Sequence, residues 1–403
     1  MTVVSIARIG AGGDGVGRLP DGMVVFVPRT APGDEAEVEI VETHKRHAHG
    51  RLRGLVRPGA DRVEPECPHY TADRCGGCQL QHLTVPAQVQ AKAGIVGEAL
   101  RRIGRHELPD PDVIPAPAPW RYRAKITLAV SGKRIGLHRY DAPGTVFSLE
   151  DCRITREPLM RLWSHRALLP GALEELVLRE DRDGGLHLVA AGGGEPWDAG
   201  PLAAAVGLDG VAYWWRPAGG AARIVAGART GFPALAFEQV NPELAARMRE
   251  DAVEELGDVR GQVVWDLYGG VGDAARLLAA RGARVFSVDR DRTAIAWARQ
   301  RAGAGREIEW FAGLVEETLH RLPEPDAVVV NPPRAGLVAR VSAALQAWGQ
   351  SRPGARLCYV SCDPATLARD LTRLPAFSVT RVRAYDLFPH TSHVETLAVL
   401  RPG

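Results

Sequence analysis

The chain has 403 residues, 45% hydrophobic and 24% charged, with a formal net charge of +2 at pH 7. It is too long for one compact domain, so two or three domains with apolar cores are expected. Six cysteines are too few for a disulfide scaffold, no apolar run approaches the ~20 residues of a membrane helix, and MTVVSIARIGAGGDG lacks the basic-then-apolar pattern of a signal peptide. The expectation is a cytoplasmic protein without a membrane partner, taken as a monomer. Its thiols stay reduced there and suggest metal or catalytic use.

Residues 1–57 read as short strands (VVSIARIG, GVGRLPDGMVVFVP, DEAEVEIVE, HGRLRGLV) broken by glycine turns, the pattern of a small β-barrel. Between Thr43 and Ala60 there is no acid, but there are Lys45, Arg46, Arg51, Arg53 and Arg57 with His44, His47 and His49. Such local excess suits a polyanion, or a solvated basic face. Residues 58–230 hold a cysteine cluster, a helical stretch over roughly 85–103, a proline-rich connector and further strands, a mixed α+β region. From residue 231 to 403 strands (VVWDLYG, ARVFSVD, EIEWFAG, DAVVVNPP, RLCYVSC) alternate with helical patterns. That alternation predicts an open, Rossmann-like parallel sheet with helices on both faces. SVTRVRAYDL and VETLAVL come last with no room for a crossover helix, so they should pair antiparallel at one edge.

In DLYGGVGDAARLL a strand runs through glycines into a helix, as nucleotide-type cofactor sites require. Asp289 closes the next strand and could accept hydrogen bonds from ribose hydroxyls. NAD and S-adenosylmethionine both satisfy these facts, as does a tight turn with an acidic cap. DAVVVNPPRAGL puts Asn331-Pro332-Pro333-Arg334 at the end of the fourth strand, in the crevice where ligands sit. Two prolines fix an extended backbone there. Methyltransferases of planar nitrogen heterocycles have a use for such a segment; dehydrogenases do not.

LCYVSCDPATLARD ends a strand at Cys362, with Asp363 suited to cap a helix and Pro364 to its first turn. The helix N-terminus beside the sulfur should favour thiolate, the attacking form, although Asp363 opposes it. Cys358, two residues inward, reads as a buried small hydrophobe. A nucleophile of this kind fits methylation at uracil C5, where thiolate addition at C6 makes C5 nucleophilic and a base must then remove the C5 proton. Glu395, in FPHTSHVETLAVL, is the candidate base, although a Glu opening a strand is more often a solvated edge residue.

Together, FEQVN, DLYGGVG, NPPRAGL, SCDPATLARD and FPHTSHVETL resemble the RNA (uracil-5-)-methyltransferase family in order and content, over nearly the whole chain. The resemblance implies an α/β fold: a C-terminal class I methyltransferase domain (231–403), an N-terminal TRAM-like barrel (1–57) that binds RNA, and a central α+β domain (58–230). It implies S-adenosylmethionine as cofactor, ribosomal or transfer RNA as partner, Cys362 as nucleophile and Glu395 as base. Cofactor contacts would come from Gln239, Tyr268, Asp289 and Asn331, with Asp273 beside them, and Phe237 would stack on the target ring. Asn331 stands where the family usually has Asp, keeping the carbonyl acceptor and losing the charge. Cys67, Cys75, Cys78 and Cys152 could hold zinc by their spacing. The resemblance implies a [4Fe–4S] cluster instead, although seven residues separate Cys67 from Cys75 where five are typical. Arg121, Arg123 and Lys125, beside Trp120 and Tyr122, mix cations with aromatics as single-strand RNA readers do.

Two other classes compete. A methyltransferase of exocyclic amines would place an aromatic where Arg334 stands and would not need Cys362. An RNA-binding module with a non-catalytic methyltransferase fold would need neither Cys362 nor Glu395.

Overall fold

Alternating polar and apolar runs at the N-terminus become five strands, β1 (Thr2–Ile9), β2 (Gly15–Arg18), β3 (Val24–Val27), β4 (Glu35–Thr43) and β5 (His47–Arg57). They close into a barrel in the order β1-β2-β3-β5-β4. Val4, Ile6, Val25, Val27, Ala36, Val38 and Ala48 fill it, one face of β1, β3, β4 and β5, as the two-residue side-chain period dictates. The turn between β2 and β3 uses Asp21 Oδ1, which accepts from the Met23 amide at 2.9 Å, and Gly22 at φ +86°.

The computed structural model describes residues 1–302 and 307–403. Beyond the barrel the elements run α1 (Pro68–Thr71), α2 (Val85–Arg102), β6 (Val113–Ile114), β7 (Lys125–Ser131), β8 (Arg134–His138), β9 (Val146–Ser148), α3 (Glu157–Trp163), β10 (Glu175–Glu180), β11 (Leu186–Ala191), α4 (Gly200–Val206), β12 (Val211–Arg216) and β13 (Arg223–Gly227). Then follow α5 (Pro242–Glu255), β14 (Val263–Leu267), α6 (Asp273–Ala280), β15 (Arg284–Asp289), α7 (Arg292–Ala302), β16 (Ile308–Ala312), α8 (Val315–Thr318), β17 (Ala327–Val330), α9 (Ala339–Ser351), β18 (Arg356–Ser361), α10 (Pro364–Leu371), β19 (Phe377–Tyr385) and β20 (Glu395–Pro402).

These elements pack as two units, each gathered from separate pieces of chain. The first takes Met1–Gln88, Pro117–Leu235 and Pro389–Ser392. Besides the barrel it holds a seven-stranded sheet in the order β13-β12-β11-β10-β7-β8-β9. Only β11 and β12 run parallel in that sheet, and α4 provides their crossover.

The second unit takes Val89–Ala116, Ala236–Phe388 and His393–Gly403. Its eight-stranded sheet has the order β16-β15-β14-β17-β18-β20-β19-β6. Strands β14 to β18 are parallel, and β17 and most of β14 and β18 are buried on both faces, which explains their unbroken apolar runs. Val96 and Leu100 of α2 join the core on one side, with Leu267, Val330, Leu357 and Tyr359. Leu244, Met248, Val253 and Leu278 join it on the other. β20 lies antiparallel between β18 and β19, as the missing crossover requires. The edge itself is β6, a two-residue strand from the proline-rich connector, parallel to β19. Among the described residues no helix is long and apolar enough to cross a membrane.

Candidate active site and cysteine centre

The second unit brings the strand ends of β15, β14, β17 and β18 side by side. Tyr268 follows β14 at φ +61°, a left-handed conformation that a bulky residue adopts only under constraint. A Cβ on Gly269 would fall 2.3 Å from Asp266 Oδ2, and one on Gly272 (φ +76°) would fall 2.3 Å from the Trp310 ring. Gly270, at φ +56°, has open space beside it: its nearest neighbour is the Phe237 carbonyl oxygen at 3.9 Å. The loop is thus packed from below and bare above, a backbone cradle at the sheet's C-terminal edge. Asp289 Oδ2 accepts from the Gly270 amide at 2.9 Å and Oδ1 from the Asp291 amide at 2.8 Å, so it ties the cradle to β15. Asn331 follows β17, its amide donating to the Leu267 carbonyl at 3.1 Å. Asp273 stands apart in chemistry. It pairs with Arg276 at 2.6 Å and Arg249 at 3.5 Å, so two guanidiniums already engage its charge. The sequence reading missed Asp266, whose signal was an acid inside the apolar run VVWDL. It is buried and accepts from Ser287 Oγ at 2.8 Å, and burial pushes its carboxyl up to about 6.

Antiparallel register sets the other half of the site. Ser361 on β18 pairs with Thr396 on β20. Cys362 follows Ser361 and Glu395 precedes Thr396, close enough for the Glu395 carboxylate to act on the Cys362 thiol. The sequence reading ends the strand at Cys362; β18 ends at Ser361, and Cys362 is the first residue beyond it. Asp363 Oδ1 caps α10 by accepting from the Thr366 amide at 2.7 Å, with Pro364 behind it. The expected ionisation does not hold. Burial above all, then the Glu395 carboxylate and Asp363, push the Cys362 thiol up to about 11, against the pull of Arg334. The short helix does not offset two nearby carboxylates and a half-buried sulfur. Cys358 is fully buried in the core.

Glu395 is 1% exposed. Its Oε1 accepts from Gln239 Nε2 at 3.0 Å, while Oε2 has no hydrogen-bond partner. Burial pushes its carboxyl up to about 7, opposed by the Gln239 hydrogen bond and Arg334. Gln239, assigned from sequence to the cofactor, is thus engaged with the carboxylate. Arg334, quoted in NPPRAGL but given no role there, is the cation that acts on both groups. Phe237 is 66% exposed, unusual for a phenyl ring and next to the cradle through its carbonyl.

Residues 306–402 match the family described as tRNA (Uracil-5-)-methyltransferase, and residues 3–52 match the TRAM domain. A 23S rRNA (uracil(1939)-C(5))-methyltransferase of Thiobacillus denitrificans is 30% identical over 98% of this chain and 99% of its own. An RNA methyltransferase of Thermosynechococcus vestitus is 31% identical over 96% of this chain and 95% of its own. The chain belongs to the RNA uracil-5-methyltransferase family. The fold is that of the Pyrococcus abyssi tRNA (uracil-54, C5)-methyltransferase, solved with S-adenosyl-L-homocysteine: TM-score 0.74 at 24% identity, covering 99% of this chain and 100% of that one.

In this family member the four cysteines named from sequence share one place. Cys67, Cys75, Cys78 and Cys152 are buried and line a cavity of about 120 Å³ with His69, Gln81 and Arg123. The longer spacer between Cys67 and Cys75 winds into α1, and the Cys75 amide bonds back to the His69 carbonyl at 2.9 Å. Burial pushes the Cys75 thiol up to about 12 and raises Cys78 and Cys152, with neighbouring sulfurs adding to the effect at Cys75 and Cys78. Thiols raised in this way are deprotonated most readily by a bound cationic centre. Among the described residues no three of the four sulfurs lie within 4.8 Å of one another.

Two of the residues read as an RNA surface, Arg121 and Arg123, lie at this centre. Arg121, at φ +55°, forks onto Asp151 at 2.8 and 2.9 Å, and its Nη1 reaches the Cys152 carbonyl at 3.0 Å. It therefore braces the loop that carries Cys152. Arg123 lines the cavity, its Nε donating to the Lys125 carbonyl at 2.8 Å. Lys125 opens β7.

Proposed function

We propose that the chain methylates C5 of a uridine in RNA, with Cys362 adding to C6 and Glu395 removing the C5 proton. The observation that carries this reading is the proximity of the two groups beyond the last β18–β20 pair, Ser361–Thr396, where the Glu395 carboxylate acts on the Cys362 thiol. The glycine cradle, Tyr268, Asp289 and Asn331 would hold S-adenosylmethionine; a Cβ at Gly270 would meet only the Phe237 carbonyl oxygen, at 3.9 Å, and that room fits such a group. When bound, it supplies the methyl group as an electrophilic sulfonium.

Cys362 Sγ bonds to C6 and the electron pair moves to C5, which takes the methyl group. Glu395 Oε2, with no protein partner, removes the proton from C5. The pair left behind restores the C5–C6 double bond and expels the sulfur. Gln239 holds Oε1 and so aims Oε2. Arg334 favours the anionic form of both groups. Because the thiol of the protein alone sits near 11, activation at neutral pH must come with the bound substrates. Phe237 offers an exposed ring on which a uracil turned out of its stack could rest.

We further propose that Cys67, Cys75, Cys78 and Cys152 hold a [4Fe–4S] cluster. CGGCQLQH followed by a distant Cys152, the pattern of the family's cluster-bearing members, supports iron–sulfur over zinc. Methyl transfer needs no electron, so the cluster is structural. Anaerobic purification yielding zinc and no iron would overturn this assignment.

The test of the reaction is RNA carrying 5-fluorouridine, whose C5 fluorine cannot leave as a proton does. Incubated with S-adenosylmethionine, the protein should form a denaturation-stable RNA adduct, and Cys362→Ala should form none. Equal trapping by Cys362→Ala sinks the mechanism. Sequencing the trapped RNA names the uridine.

A further inference from the structure

Three histidines of the basic N-terminal stretch take no step in the reaction proposed above. His44 sits in the turn between β4 and β5, and His47 and His49 lie on β5. Alternation along β5 sends Ala48 into the barrel core and turns His47 and His49 to the outside. The turn is fixed by the His44 amide, which donates to the His47 carbonyl at 2.8 Å. Ring centroids are 4.6 Å apart for His44–His47, 5.3 Å for His47–His49 and 5.8 Å for His44–His49. One ring nitrogen from each lies within 4.8 Å of the others.

We propose that His44, His47 and His49 bind one borderline divalent transition metal ion, of the zinc, cobalt, nickel or copper class. Neutral imidazoles suit those ions, whereas magnesium and calcium take oxygen donors. Metal–nitrogen bonds of ~2.0–2.1 Å need only small ring rotations to close the present spacing. The surroundings are those of a ligand set. Phe26 packs on His49 at 5.6 Å and edge-on to His47 at 5.7 Å, so both rings have an apolar wall that limits their orientations. Glu42 Oε1 lies 3.0 Å from His44 Nε2. A neutral ring so paired carries its proton on Nε2 and presents the Nδ1 lone pair, the carboxylate–histidine–metal arrangement that fixes a ligating tautomer. Asp14 lies close enough for His49 to act on its carboxyl and adds a second negative charge. The bound ion would pin the β4–β5 hairpin, whose tip carries Lys45 and Arg46.

The experiment uses tag-free, full-length protein with its cysteine centre loaded. Equilibrium dialysis against zinc should give one more bound equivalent in the parent than in the double variant His47→Gln/His49→Gln, with far-UV circular dichroism unchanged. Cobalt should add visible d–d bands without the near-ultraviolet charge transfer of thiolate ligands. Equal zinc content in parent and variant, or a cobalt spectrum carrying only thiolate features, overturns the proposal. Should the variant fail to fold, the parent alone decides. Zinc should protect His44, His47 and His49 from diethyl pyrocarbonate at least tenfold by peptide mass spectrometry, and equal labelling with and without zinc overturns the site.

Discussion

Glu395 joins two properties that a solvated edge glutamate lacks: near-complete burial and an oxygen without a partner. Its carboxyl is raised from 4.5 to about 7 in the folded chain, so the fold favours the neutral form. Stability from this group is fully present below pH 4.5 and is lost as pH rises through about 7. A shift of this size corresponds to about 3 kcal/mol. Glu395→Gln removes the titration, so its unfolding free energy relative to the parent should climb by up to about 3 kcal/mol between pH 4.5 and 8, read by urea denaturation at several pH values. A flat difference would show that the carboxyl is not the buried acid described. The same variant should lose ~10²- to 10⁴-fold in methyl transfer and accumulate the RNA adduct on ordinary uridine. The parent's rate should rise with pH through about 7. Motif order made the residue legible in the sequence. Its burial was not, because a strand's N-terminal residue reads as exposed until its neighbours β18 and β19 are known.

At the scale of the element, the β14–α6 loop separates packing from ligand access within three residues. Gly272→Ala adds a Cβ 2.3 Å from the Trp310 ring at φ +76°, so it combines left-handed strain of roughly 1–2 kcal/mol with displacement of an indole. Gly270→Ala carries similar strain at φ +56° but meets open space. The expected outcome is a split: Gly272→Ala lowers the unfolding free energy by well over 2 kcal/mol, whereas Gly270→Ala costs about 1 kcal/mol yet weakens S-adenosylmethionine binding at least tenfold by calorimetry. Equal cofactor affinity for Gly270→Ala and the parent would remove the cofactor from this face. The glycines, the parallel strands and the antiparallel last pair could be read from period and turn chemistry. β6 could not, since two residues in LPDPDVIPAPAP carry no strand period and earn their place only by pairing with β19. The fate of Asp273 was half hidden: Arg276 lies three residues on in α6 itself, but Arg249 sits on α5 and only packing brings it to Asp273.

Across the whole molecule, the chain reads as three successive regions but packs as two units, each of several segments. Local periodicity reports what an element is, and leaves open which distant element shares its core. The cysteine centre is the clearest case of long-range closure. Cys67 and Cys152 stand 85 positions apart yet line one cavity. A cluster that ties them closes a loop whose entropic cost scales as (3/2)RT ln n, on the order of 4 kcal/mol for this length. Anaerobic removal of iron by a chelator should therefore speed hydrogen exchange at the amides of Tyr70, Cys75 and Thr155, which donate to carbonyls around the cavity, by up to ~10²- to 10³-fold. Amides of β14 and β17 serve as the internal reference and should change little, because those strands exchange through opening of a different core. Arg121→Met should hasten iron loss while leaving RNA affinity within twofold, since its guanidinium is committed to Asp151 and the Cys152 loop. Uniform acceleration across both sets of amides would mean that the centre supports global stability and braces no particular loop. A large drop in RNA affinity for Arg121→Met would return that residue to the substrate surface, where the sequence first put it.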